Sequence, residues 1–226
     1  MALQSSKTDP NLGLVIHQYL LDNGVETPTI AAELGKKALN KQRRIEKHFT
    51  KIMEELGLDL SDDSLQDSPA RVAKMYVNET FWGLDPANFP KCTTIDNKMG
   101  YDEMVLERNI SVVSCCEHHF VTIHGVAHVA YIPNKKVLGL SKMNRIVEYF
   151  SRRPQVQERL TEQVYFALSY ILDTPDVAVV IDANHYCVIS RGVEDHNSST
   201  VTSKMGGGFK ANPELRAEFL SLVGKK

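Results

Sequence analysis

The run SCCEHHF, from Ser114 to Phe120, places Cys115, Cys116, Glu117, His118 and His119 side by side. Thiolate and imidazole are the donors that hold zinc, and a catalytic zinc site commonly takes three protein ligands and leaves a fourth position open. Cys116 and His119 form a Cys-x-x-His pair that can reach one ion from a turn or a strand end. No second Cys-x-x-Cys pair lies nearby, and the one His-x3-His spacing, His124 with His128, falls in an alternating strand pattern that reads as packing or surface, which argues against a closed structural finger. The next donors stand far downstream in NHYCV, where His185 and Cys187 are two apart. If that segment is a strand, both side chains leave on the same face, so one could ligate while the other moves protons. A short pair with a distant cysteine suits an open catalytic site.

The remaining thiols and imidazoles read more plainly. Cys92 and Cys115 fit small buried hydrophobes. His124 and His128 fall in an alternating pattern as packing or surface residues, and His17, His48 and His196 have no partners in sequence. No G-x-x-x-x-G-K-[ST] run is present, and KMGGGFK is a glycine turn without that order. A phosphorylated substrate therefore needs side-chain cations. Arg71 and Lys74 share one predicted helix, Lys142 and Arg145 open another, and Arg191 follows the second cysteine segment. Ser141 is the expected N-cap of its helix, whose N-terminus adds attraction for phosphate. Glu158, taken alone, looks like an ordinary exposed helix residue.

The elements that must position these residues change character along the chain. In KQRRIEKHFTKIMEELGL, Ile45, Phe49, Ile52, Met53 and Leu56 recur at helical spacing, and Gly57 is placed to stop the helix. DSPARVAKMYVNETFWGL predicts a second helix with Ser68 as N-cap and Pro69 at the first helical position. From about Lys91, MVLERNISVVS and FVTIHGVAHVAYIP carry β-branched residues in partial alternation and read as strands. SKMNRIVEYFSRRP and QVQERLTEQVYFALSYIL return to helical period, with Val156, Leu160, Val164, Leu168 and Ile171 on one stripe. DVAVVIDANHYCVISRG is strand-like, and NPELRAEFLSLV is a closing helix capped by Asn212. Strands before and after a helical pair predict an α+β class with a mostly antiparallel sheet. The helical region is expected over residues 1–95 and the catalytic domain over 96–226.

With 226 residues, 42% hydrophobic and 24% charged, the chain can bury a substantial core. A formal charge of -2 gives no general reason to expect nucleic acid or a membrane as partner. No apolar run approaches the roughly 20 residues of a membrane span. Four cysteines, two adjacent, make a poor disulfide framework, and MALQSSKTDPNLG lacks the order of a secretory signal. A reduced, cytoplasmic protein is expected.

CEHHF, AYIP, GLSKMNRIVEYFSRRPQVQERLT, HYCVISRG and a serine/threonine run ending GGGF resemble the GTP cyclohydrolase I family in order and spacing, over roughly residues 45–222. The resemblance implies a tunnelling fold of antiparallel strands and a helix pair, assembling as a homo-oligomer, typically a decamer of two pentamers with sites at subunit interfaces. It implies hydrolysis of GTP to 7,8-dihydroneopterin triphosphate and formate. Cys116, His119 and Cys187 would hold Zn2+, and His118 and His185 would transfer protons. Gln157 and Glu158 would receive guanine. Ser141, Lys142, Arg145 and Arg191 would contact the triphosphate, with Arg71 and Lys74 reaching in from a neighbouring subunit. The family varies at Cys115, and the Cys-x-x-His spacing favours Cys116 as ligand. Two alternatives are another tunnelling-fold enzyme of pterins or deazapurines and a catalytically silent binding homologue. SKMNR, QER and HYC argue against the first, and no ligand or histidine is missing as the second requires.

Overall fold

The computed structural model describes residues 5–30, 32 and 36–224. Helix α1 (Pro10–Asp22) begins where the Asp9 carboxylate accepts from the Leu12 N–H at 3.0 Å. Helix α2 (Ala38–Glu55) ends before Gly57, whose φ of 77° reverses the chain as its place in the sequence predicts. Helix α3 (Ser68–Met75) starts one residue earlier than expected: Asp67 is the N-cap, and Ser68 is already helical. A π-turn (Tyr76–Thr80) and two 3-10 turns (Trp82–Leu84, Pro86–Asn88) lead towards the sheet. Among the described residues no helix is long and apolar enough to cross a membrane.

Strand β1 (Thr94–Asp96) pairs with β4 (Lys136–Leu138) as a small ribbon. The main sheet has the order β5-β2-β3-β6-β7. Strands β2 (Val105–Cys116), β3 (Thr122–Tyr131), β6 (Val177–His185) and β7 (Thr200–Met205) are antiparallel neighbours. The two-residue β5 (Pro154–Gln155) runs parallel to the end of β2 and sets Gln155 beside Cys116. Helices α4 (Leu140–Ser151) and α5 (Gln157–Leu172) cover one face. Alternation along β6 explains this arrangement: Val177, Val179, Ile181 and Ala183 join Leu160, Val164 and Leu168 in the core under the helix pair. Ala178 and Val180 point the other way, onto Phe209 and Phe219 of α7 (Gly207–Ala211) and α8 (Pro213–Gly224). The fold is α+β, with a mostly antiparallel sheet and a helix pair on one face, as the sequence predicts.

The helical N-terminal segment contributes to the same apolar core through Ile16, Leu20, Trp82 and Phe89. A buried ion pair reinforces this junction. Arg153 pairs with Glu26, each side chain only 3% exposed, and donates from Nε to the Gly83 carbonyl at 2.7 Å. Its guanidinium carbon sits 4.7 Å from the Tyr149 ring centroid, and Glu26 also meets His17 at 3.0 Å. Gly83 permits this approach, because a Cβ there would lie 2.1 Å from the Tyr149 carbonyl oxygen.

Candidate active site

Strand β2 delivers Cys116 as its last residue, and the chain reverses at once. The Cys116 N–H donates to Val121 O at 2.8 Å, and Phe120 N–H donates back to Cys116 O at 2.9 Å. Phe120 takes φ 55°, a left-handed conformation uncommon for a bulky residue. Its ring packs edge-on against Phe81 at 5.4 Å and tilted against Tyr76 at 6.2 Å. His118 and His119 thus project from a tight turn.

The second half of the site comes from β6. Its pairing with β3 ends near Ile123 opposite His185, so the strand has no further partner there. The expected strand therefore stops at His185, and Tyr186–Ile189 form one helical turn, α6, closed by Ser190 N–H to Tyr186 O at 2.9 Å. His185 and Cys187 do not share a strand face. The turn still carries Cys187 to Cys116 and His119, where donor atoms from all three lie within 4.8 Å of one another.

Cys116 is buried, Cys187 half-buried and His119 exposed, so the group opens to solvent on the imidazole side. Burial pushes the Cys187 thiol up, and so does Cys116, both as hydrogen-bond partner and as like charge, while Arg191 opposes them. Two sulfurs facing each other resist ionising together, and a divalent cation between them removes that resistance. The donor set of two thiols and an imidazole fits zinc. Cys115 alternates to the other side of β2, its thiol pushed up to about 11 by burial and then by Cys116. Burial takes Cys92 up to about 12. Both behave as the small hydrophobes expected.

His185 Nε2 lies 2.7 Å from Gln157 Oε1. The Gln157 amide is 2% exposed, and its Nε2 donates to Ile181 O, Thr200 O and Thr202 Oγ1 at 3.0, 2.8 and 3.1 Å. Those acceptors fix the amide, so Oε1 must accept and His185 must carry its proton on Nε2. Nδ1 of His185 is then the lone-pair atom. Burial holds the His185 pKa below its ordinary value, with the Glu158 carboxylate pulling the other way. Glu158 itself is exposed in the first turn of α5.

One N–H group of Arg191 lies 2.8 Å from Nε2 of His119. Cys116, His118, His119, Gln157, Glu158, His185, Cys187 and Arg191 thus gather in one region. Ser141, Lys142 and Arg145 lie apart from it. Gly139, not Ser141, takes the N-cap position of α4, and Ser141 sits exposed within the first turn. The far end of α4 leads into β5 beside Cys116, so Ser141 lies about 15 Å along the helix from that end. Lys142 and Arg145 flank Cys92 instead, both lowering its pKa against burial. Arg71 and Lys74 are exposed on α3, where Arg71 meets Asp67 at 3.3 Å. Sequence reading gave no role to Thr161 and Thr202, whose hydroxyls meet at 2.7 Å beside Gln157, nor to the Glu117–Arg159 ion pair. Nothing local in the sequence announces the latter, whose partners stand 42 positions apart.

A family model described as GTP cyclohydrolase I matches residues 45–224. The chain is 58% identical over 208 residues to GTP cyclohydrolase 1 of Aeromonas hydrophila, covering 92% of this chain and 94% of that one. It is 59% identical over 205 residues to GTP cyclohydrolase 1 of Shewanella baltica, covering 91% and 94%. Likeness of this depth along nearly the whole length decides the lineage: the chain belongs to the GTP cyclohydrolase I family.

Proposed function

We propose that the chain hydrolyses GTP at guanine C8, releases formate and closes the rearranged product to 7,8-dihydroneopterin triphosphate. The observation that carries this reading is the convergence of Cys116, His119 and Cys187 beside two further histidines and the first turn of α5. Zinc held by those three donors would supply Lewis acidity and make hydroxide available at neutral pH. Guanine C8 is a poor electrophile, so a proton at ring N7 must accompany attack. Imidazole suits that task, with a reference pKa near 6.5 that lets it give and take protons. His118, beside Cys116, and His185, fixed by Gln157 with Nδ1 free, are the two agents.

Glu158 offers a carboxylate to the guanine N1–H and 2-amino group, a pair of donors adenine lacks. Leaving it unpaired costs more than losing a neutral contact, so it selects the base. The Gln157 side chain is committed elsewhere, which leaves its backbone to meet the purine. Arg191 reaches the triphosphate within one chain. Ser141, Lys142 and Arg145 are supplied by another copy, since one chain sets them at the end of α4 away from Cys116, and Arg71 and Lys74 come from a neighbouring subunit by family likeness. A homo-oligomer follows, a decamer of two pentamers by family likeness. Its assembly surface is supported by the exposed Val113 and Val201 on the sheet side away from the helix pair, and by the open outer edge of β7. Four free cysteines suit a reducing cytoplasm.

Incubating the metal-loaded protein with GTP, and following formate and pterin fluorescence after oxidation, tests the reaction. No turnover with metal fully loaded ends it. Glu158→Gln removes a charge-assisted hydrogen bond of about 1.5–3 kcal/mol, a roughly 10- to 100-fold loss in kcat/KM. Stability should barely change, because the residue is exposed. An equal loss of stability would count against the guanine role.

A further inference from the structure

Glu117 stands between the ligand Cys116 and the two histidines, yet the proposed reaction gives it no task. Its carboxylate meets the Arg159 guanidinium twice: Nη1 donates to Oε2, and Nη2 to Oε1 at 3.4 Å. The two side chains are 26% and 19% exposed, so the pair is largely withdrawn from water. Oε1 of Glu117 also lies 4.0 Å from Nε2 of His118, whose Nδ1 lies 3.8 Å from Cys116 Sγ. The Glu117 N–H donates to Gln155 O at 3.0 Å, which fixes the backbone as well. Arg159 follows Glu158 directly in the first turn of α5.

We infer that Glu117 and Arg159 are positioning residues, a forked ion pair that sets the His118 ring against the base-recognising turn of α5. The inference rests on the roles proposed for His118 and Glu158. A planar guanidinium gripping both carboxylate oxygens fixes orientation as well as distance, which a lysine cannot do. His118 needs such a hold, because its side chain is 64% exposed. The pair crosses from the metal loop to α5, so neither element shifts without the other. The engagement also removes Arg159 from the set of cations available to the triphosphate, although it neighbours Glu158.

The test compares wild type with Glu117→Gln, Arg159→Met, the double variant and Arg159→Lys, all metal-loaded. Supporting partners of this kind typically change activity by roughly 10- to 100-fold. That fall is expected in kcat for each single variant, with KM for GTP, metal per chain and unfolding midpoint near wild type. The double variant should be no worse than the worse single one, because both break one interaction. Arg159→Lys should recover part of the loss. Three results overturn the inference: metal loss in step with activity, a rise in KM alone, or a lower midpoint with kcat intact. If wild type itself fails to turn over GTP, the functional reading fails separately. The metal-stripped chain then decides about the pair, through the His118 ring signals in nuclear magnetic resonance. They should shift and broaden alike in Glu117→Gln and Arg159→Met, and unchanged signals refute the pair's role.

Discussion

Replacing Gln157 by alanine separates two ways in which that residue could serve. Its amide donates towards three acceptors on β6 and β7 and accepts from His185. Two amide protons and the single contact on the carbonyl oxygen make three hydrogen bonds here, each with a net contribution of about 0.5–1.5 kcal/mol. The expected loss is therefore about 1.5–4 kcal/mol, allowing for the poorer geometry of the shared donor. For a chain of this size a kilocalorie moves the melting point by about 2–4 °C, so a fall of about 3–16 °C is expected. Activity should suffer differently. Without Oε1 the His185 ring loses what fixes its proton on Nε2, and an acid-base contact of this type contributes about 10²- to 10⁴-fold. Steady-state kinetics on folded, metal-loaded Gln157→Ala, below its melting range, should show kcat down by at least about 10²-fold with KM for GTP little changed. Should KM rise while kcat holds, the side chain contacts substrate and the hydrogen-bond assignment above is mistaken.

Three further outcomes are expected. Glu26→Gln strips the charge partner from a 3% exposed Arg153, and breaking a buried pair costs about 3–5 kcal/mol; a loss below about 1 kcal/mol in urea titrations would rank it with surface pairs. Cys187→Ser should lower bound metal and turnover together, whereas His185→Ala should keep metal and lose turnover, as read by metal assay beside kinetics; an empty site in His185→Ala would reverse the division of roles. His128 is buried, and among the described residues its Nδ1 has no hydrogen-bond partner. Burial first, and then Arg108, lower its pKa from 6.5 against the pull of Asp182. The unfolded chain then takes up a proton that the folded one resists, so stability is full above pH 6.5 and falls as pH drops below it. His128→Leu should flatten that slope in denaturation at several pH values, and an unaltered slope would show that other groups cause it.

Local signals in the sequence were enough for several boundaries. Gly57 ends α2, and Asn212 Oδ1 accepts from the Glu214 N–H at 2.9 Å just where Pro213 opens α8. The helix stripe from Leu160 to Ile171 is buried as its period requires. Where neighbouring residues compete, the sequence is ambiguous: Asp67 and Ser68 are both cap-type residues, and the helix takes the first although its side chain makes no capping bond. The turn at Cys187 was illegible for another reason. HYCVI is as β-prone as the residues before it, and what stops the strand is the exhaustion of β3 as a partner. The inward commitment of Gln157 depends on carbonyls 24 and 43 positions away. Likewise Glu117 meets an arginine 42 positions along. Spacing within a motif announces donors, but it does not disclose which distant backbone will fasten them.

The left-handed backbone at Phe120 has a mechanical consequence for the turn that carries both imidazoles. Such a conformation stores about 1–3 kcal/mol for a bulky residue, and it is held by the two backbone hydrogen bonds of the turn together with the contacts of its half-exposed ring on Tyr76 and Phe81. The histidine turn is thus cocked, with part of its latch some forty residues upstream, at Tyr76 of the π-turn and the Phe81 that follows it. Release the latch and the spring uncoils one bond away from His119, disarming the cluster without touching a single ligand.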